Sequence, residues 1–168
     1  LVSKMRNERG LYFVQQNLGK QSVCLDMDNA ETDAIVRDLV GKVDVVVENF
    51  GPGVMEKRGW DYNALKAINP RVLMASISAF GRNSPLSHRT GFDLIAQAFA
   101  GIMAVTGPRG GSPHPAGLGM ADVGSGVHAF ASIGYALYHR ERTGRGQWMD
   151  ISMIDCLFHM HEMGVQAP

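Results

Sequence analysis

An excess of one charge is what this chain most plainly lacks. Its 16 Lys and Arg are matched by 16 Asp and Glu, for a formal net charge of zero. Without a basic surplus there is no electrostatic footprint for nucleic acid or an anionic membrane surface, although a local basic spot can still meet a phosphate. Cysteine is scarce, and Cys24 and Cys156 lie far apart, which argues against a disulfide framework and for two free thiols. No apolar run approaches membrane-spanning length. The opening LVSKMRNERG is polar and basic with no apolar core behind it, so no secretory signal is read there and a cytoplasmic setting is expected. Also missing are a P-loop, a G-x-S-x-G elbow, paired-cysteine motifs and a G-x-G-x-x-G between strand and helix. GMADVGSG (119–126) has the wrong glycine spacing, which disfavours a nicotinamide or flavin dinucleotide site.

What is present fits a globular domain: 168 residues, 45% hydrophobic and 19% charged. The chain starts at Leu1 and ends in HMHEMGVQAP without a polar tail, from which a piece of a longer protein is expected. Residues 1–22 read as loop with a short helix near 12–16. The alternating QSVCLDM (21–27) predicts a strand. A helix follows with Asp28 as its cap, an apolar stripe of Ile35, Val36, Leu39 and Val40, and Gly41 as its stop. The β-branched run VDVVVENF (43–50) predicts a strand buried on both faces, completing a β-α-β unit. Further expectations are a helix over 62–68, a strand over 71–80, a helix within 91–107, a Pro/Gly-rich surface loop over 108–119, a long helix ending at Gly144 and a final strand over 146–153. This alternation predicts an α/β fold of Rossmann-like type, an open and mainly parallel sheet with helices on both faces. Ligands then sit beyond the carboxyl ends of the strands, at 26–28, 48–51 and 78–81.

Two stretches carry candidate chemistry. In VVVENFGPGVMEKRG (45–59) a strand runs into Asn49, whose amide both donates and accepts, and Phe50, a flat apolar face. Lys57 and Arg58 follow after one turn of a short helix and suit a phosphate. The alternative is an ordinary strand-to-helix turn whose polar groups cap the backbone. In GLGMADVGSGVHAF (117–130) the lone carboxylate is Asp122. It reads either as a nucleophile or base held ionised at a helix N-terminus, with glycines admitting a ligand, or as a helix cap among packing glycines. His88 and Arg89 lie in a loop and suit an anionic ligand or mere solvation. His159, His161 and Glu162 are close in sequence, but no third ligand accompanies the histidines and no metal site is expected.

Taken together these segments resemble the class III coenzyme A transferases, the family of formyl-CoA transferase and carnitine-CoA-transferase-like proteins. The matching stretches are 17–27, 43–72, SISAFG (76–81), 91–107, ADVGSG (121–126) and HRERTGRGQWMDISMID (139–155). The resemblance implies that Asp122 is the nucleophile. It attacks an acyl-CoA thioester, an aspartyl anhydride and an aspartyl-CoA thioester form in turn, and CoA passes to an acceptor carboxylate. It further implies that Asn49, Phe50 and Gly51 contact the nucleotide part of CoA, Lys57 a CoA phosphate and Leu25 the adenine side. Arg89, Thr90, Phe92 and Asp93 belong to the segment that lines the pantetheine and thioester. CoA is then a substrate, no cofactor is tightly bound, and the partners are an acyl-CoA, a small carboxylic acid and a second copy of the chain, interlinked in the full-length protein. Residues 1–153 would be part of the CoA-binding large domain and 154–168 the start of a linker toward a smaller domain. Two departures stand out: Asp28 occupies a position where some members carry Lys, and Phe92 occupies the place of a His that the related acyl-CoA racemases use as acid/base. A racemase of the same fold and a CoA-binding fragment without turnover are the alternative readings.

Overall fold

The computed structural model describes residues 5, 6 and 9–161, and the chain divides into two compact units, Leu1–Thr32 and Asp33–Pro168. In the first unit the two-residue strands β1 (Met5–Arg6) and β2 (Arg9–Gly10) pair antiparallel, and α1 (Leu11–Gln16) follows where a short helix is expected. The expected strand over 21–27 does not form. Alternation specifies faces, but a strand also needs a neighbouring ladder for its N–H and C=O groups. Among the described residues nothing pairs with this segment, so the first β-α-β unit is absent. Asp26 serves a turn instead, its Oδ1 accepting the Asp28 N–H at 3.0 Å and its carbonyl accepting the Thr32 hydroxyl at 2.5 Å. Helix α2 (Ala30–Val40) is capped one residue later than expected: Asn29 Oδ1 accepts the Glu31 N–H at 2.9 Å.

The second unit is built on the parallel strands β3 (Val45–Glu48), β4 (Leu73–Ser78) and β5 (Trp148–Ser152), in that spatial order. Val45 lies opposite Leu73, and Met74 opposite Trp148. The central strand has Leu73, Met74, Ala75 and Ser76 buried. The expectation that β3 is buried on both faces fails, because β3 is an edge strand among those described and Val47 is 56% exposed. A β-branched run predicts a strand but carries no information on how many neighbours it will have.

Helix α6 (Met120–Thr143) covers one face. Its Ala129 and Ala136, seven residues apart on one stripe, pack against Leu73, Ala75, Met149 and Ile151. Small side chains there let the helix axis approach the strands closely. Helices α5 (Asp93–Phe99) and α7 (Met153–Met160) close a second cluster with Phe80, Ala96, Ala121 and Leu157. Burying Leu157 completely contributes about 1.5–3 kcal/mol. On the other face Met74 and Ser76 look toward α3 (Val54–Lys57) and α4 (Tyr62–Ile68), where Met55 and Tyr62 help line a cavity of about 340 Å³. Helices therefore flank both faces of an open parallel α/β sheet, as the alternation predicts.

The C-terminal end of α6 is tied down by Arg140, which is only 6% exposed. Its guanidinium meets Asp44 Oδ1 at 2.9 Å and the Arg71 carbonyl at 3.3 Å, so the basic last turn joins the starts of β3 and β4. Gly144, at φ +73°, ends the helix. Gly146 then passes so near the β4 backbone that a Cβ placed on it would lie 1.9 Å from the Val72 carbonyl oxygen and 2.7 Å from its carbon. Both obstacles are backbone, so neither can rotate away. Gly146→Ala is expected to destabilise the fold by about 3 kcal/mol. Urea unfolding checks this, and a loss under about 1 kcal/mol would show that the strand entry can shift.

Candidate active site

The carboxyl end of the sheet is organised by one ion pair that the sequence pattern does not single out. Glu48, at the end of β3, is 5% exposed and faces Arg82, whose Nη2 donates to Glu48 Oε1 at 2.9 Å and to the Phe50 carbonyl at 3.1 Å. Glu48 Oε2 accepts the Phe50 N–H at 2.9 Å. Asp150 of β5 accepts the backbone N–H of Arg82 at 2.8 Å and that of Asn83 at 3.3 Å. Three strand ends are thus laced together through charge-assisted bonds. Asn49 adds a fourth tie, donating from Nδ2 to the Ile77 carbonyl at 2.7 Å, which uses one of its two amide hydrogens within the chain.

Above this platform lies a cavity of about 120 Å³. One wall is the turn Asn49, Phe50, Gly51 and Pro52; the floor is Ser78 and Ala79. The other wall is Arg89, Thr90, Gly91 and Phe92, with Asp122 and Met153 closing it. Gly91 permits this arrangement, because a Cβ there would sit 2.8 Å from Ala79 Cβ. The cavity therefore brings together Asp122, Asn49, Phe50, Gly51, Arg89, Thr90 and Phe92 from separate stretches of the chain. The other candidates lie elsewhere. Lys57, at the end of α3, is exposed and outside the wall. Leu25 is half-buried in the first unit. Asp93 stands behind the wall, with its carboxylate engaged by backbone.

That engagement corrects the alternative reading of Asp122 as the helix cap. The N-cap of α6 is Gly119, which offers no side chain, and Asp122 is the third residue of the helix. The cap comes from α5: Asp93 Oδ1 accepts the N–H of Ala121 at 2.7 Å and of Asp122 at 3.2 Å. Asp122 itself is left exposed on the cavity side. Its pKa is raised from the ordinary 3.8, first by partial burial and then by the neighbouring Asp93 charge. Both act against the favourable field of the helix N-terminus. Charged Asp122 is thus destabilised in place.

Sequence reasoning placed Ser78 among the rim positions, but it missed Glu48 and Arg82 as a pair, and missed Asp150 and Gln97. Only Gln97 left a usable trace, four residues after Asp93 on a predicted helix and therefore on the same face. Among the described residues no group of three or more His, Cys, Asp or Glu side chains is placed to hold a metal ion, and none of the helices is long and apolar enough to cross a membrane. His159 meets His128 edge-on, with ring centroids 5.5 Å apart. Glu162 and the remainder of the expected linker through Pro168 lie outside the described residues.

The model of CoA-transferase family III matches residues 2–167. The chain belongs to this family. Among its family III relatives, acetyl-CoA:oxalate CoA-transferase of Acetobacter aceti is 44% identical over 149 residues, covering 88% of this chain and 38% of the relative. Succinate–glutarate CoA-transferase of Agrobacterium fabrum is 38% identical over 149 residues, covering 89% of this chain and 37% of the relative. The fold matches the crystal structure of a CAIB/BAIF family protein from Brucella suis with a TM-score of 0.87 and 35% identity, over 97% of this chain and 46% of that one. This family III chain thus spans less than half the length of each of these relatives.

Proposed function

We propose that the full-length protein is a transferase that moves coenzyme A from an acyl-CoA to a carboxylic acid, with Asp122 as nucleophile. Asp122 Oδ attacks the thioester carbonyl, the C–S bond breaks, and CoA leaves as thiolate while an acyl aspartyl anhydride forms. The thiolate attacks the aspartyl carbonyl of the anhydride, releasing the first carboxylate and leaving an aspartyl-CoA thioester. The acceptor carboxylate repeats the first step on this thioester, and the thiolate then takes the new acyl group and frees Asp122. No proton or electron is left over. The observation that carries the reading is the convergence of Asp122, the Asn49–Phe50–Gly51 turn and the Arg89–Phe92 segment on one cavity.

In this reading Asn49, Phe50 and Gly51 meet the nucleotide part of CoA, Lys57 a phosphate and Leu25 the adenine side. Arg89, Thr90 and Phe92 line the path of the pantetheine, with Asp93 at the end of that segment. CoA enters and leaves as substrate, no cofactor is held, and the protein works as a cytoplasmic homodimer. Phe92 has no titratable group, so the cavity lacks the second base that α-proton exchange requires.

The test is chemical. The full-length protein is incubated with acetyl-CoA and oxalate, or succinyl-CoA and glutarate, and then with hydroxylamine. Expected are acceptor-dependent CoA transfer and a hydroxamate on Asp122 found by peptide mass spectrometry. Turnover with Asp122 unmodified under trapping would reject the mechanism. Deuterium uptake at Cα of a 2-methylacyl-CoA without acceptor would favour an isomerase, and binding of CoA with no turnover a binding module.

A further inference from the structure

Gln97 lies on α5, away from the cavity wall, and is fully buried. A buried carboxamide needs partners for both ends, and this one has three. Its Nε2 donates to Asp93 Oδ2 at 2.5 Å and to the Leu118 carbonyl at 3.2 Å, and its Oε1 accepts the Ala116 N–H at 2.9 Å. Gln97 therefore grips the end of the Pro/Gly-rich loop on both sides and, with its amide, orients the Asp93 carboxylate. The other oxygen of Asp93 holds the N–H groups of Ala121 and Asp122. An unbroken chain of hydrogen bonds runs from the loop 116–118 through Gln97 and Asp93 to the backbone of Asp122.

We propose that Gln97 and Asp93 are positioning residues for Asp122: together they fix the loop entering α6 and the first turn of that helix, and so the aim of the Asp122 carboxylate into the cavity. The proposal rests on the nucleophile reading of Asp122. It has a second, electrostatic consequence. Asp93 places a fixed negative charge behind Asp122, while Arg89 is the charged group across the cavity. A carboxylate that is costly to keep ionised is a better nucleophile, and the chain that orients it also supplies that cost.

The hydrogen-bond polarity dictates the test. In Asp93→Asn the new NH2 faces the Gln97 NH2; if Gln97 flips to relieve this, its NH2 meets the Ala116 N–H instead. Either way two donors collide. In Gln97→Glu two carboxylates collide. The double variant Asp93→Asn/Gln97→Glu restores the chain. The new amide at position 93 donates to the new carboxylate at position 97, and that carboxylate still accepts from Ala116, while the oxygen that replaces the NH2 faces the Leu118 carbonyl as a second acceptor and makes the repair partial. In the full-length protein each single variant and Gln97→Met is expected to lose about 10- to 100-fold in kcat, with KM for the acyl-CoA changed less than about threefold. The double variant is expected to recover part of that loss and to exceed both single variants. Asp93→Asn is also expected to move the acid limb of kcat/KM to lower pH, a shift that a merely structural role does not produce.

Single variants within about twofold of the parent kcat, or a double variant no better than either single one, would overturn the proposal. Should Asp122→Asn itself remain active, the nucleophile reading falls first. Amide exchange at Ala121 and Asp122 then still judges the relay. Lost protection in Gln97→Met supports it, and unchanged protection overturns it.

Discussion

Asp122→Asn in the full-length protein is expected to lower CoA transfer by about 10³-fold or more, because the amide cannot form the anhydride and no neighbour in the cavity can replace it. The same change is expected to raise thermal stability at neutral pH. The pKa of Asp122 is raised in the folded chain, by burial first and by Asp93 second, so the ionised form is disfavoured by folding. The sign follows from linkage. Below the ordinary carboxylate value of 3.8 the group is protonated in folded and unfolded chains alike and costs nothing; the cost grows as pH rises through the folded-state value. The stability gain of Asp122→Asn therefore belongs to neutral pH and fades on acidification. Melting temperatures of both proteins across pH measure it. A variant that is inactive yet no more stable at neutral pH would show that the helix N-terminus compensates for burial and for Asp93 after all. Loss of activity with gain of stability is the usual mark of a group held in an unfavourable state for chemistry.

Arg82→Met is expected to cost about 3–5 kcal/mol, the penalty for leaving a buried charge without its partner. The Glu48 side chain is 2% exposed and that of Arg82 10% exposed, so the lost guanidinium leaves a largely desolvated carboxylate without its partner. The loss is a large share of the roughly 5–15 kcal/mol typical of a domain. The bonds from Asp150 survive, because they use the backbone N–H of residue 82 rather than its side chain. Glu48→Gln/Arg82→Met is expected to recover most of the loss, since removing both charges is far cheaper than removing one, and the amide oxygen then at position 48 can still accept the Phe50 N–H. Denaturant unfolding of the parent, the single and the double variant decides the matter. A single variant that loses under about 1 kcal/mol, or a double variant no more stable than Arg82→Met, would assign the pair no more weight than a surface ion pair. Loss of the Arg82 bond to the Phe50 carbonyl also slackens the turn that walls the cavity, so the single variant is expected to weaken CoA binding even where it remains folded.

The elements legible in the chain were those whose signals are local. The helix over 62–68 is expected from the turn residues at both ends of its segment, and the structure places α4 over those residues, with Asp61 Oδ1 accepting the Asn63 and Ala64 N–H groups as its cap. Gly144 marks the end of α6 by its left-handed backbone. The segment 21–27 shows where such reasoning stops. Its alternation is as regular as that of many strands, but strand formation is decided by a partner distant in sequence. The exposure of Val47 has the same origin, as burial belongs to the sheet position and not to the residue.

The sequence by itself determined the α/β alternation from residue 43 onward, because periodicity and capping are written in neighbouring residues, and the resemblance of its segments gave the family and the stretches around Asn49, Arg89 and Asp122. Only the tertiary structure decided that these stretches meet on one cavity, that Asp93 rather than Asp122 caps α6, and that Glu48 is answered by Arg82. These are pairings across 28 and 34 positions. Short-range preferences do not encode such pairings. They follow from the packing of α5, α6 and the three strand ends, where each buried polar group must find its partner in space.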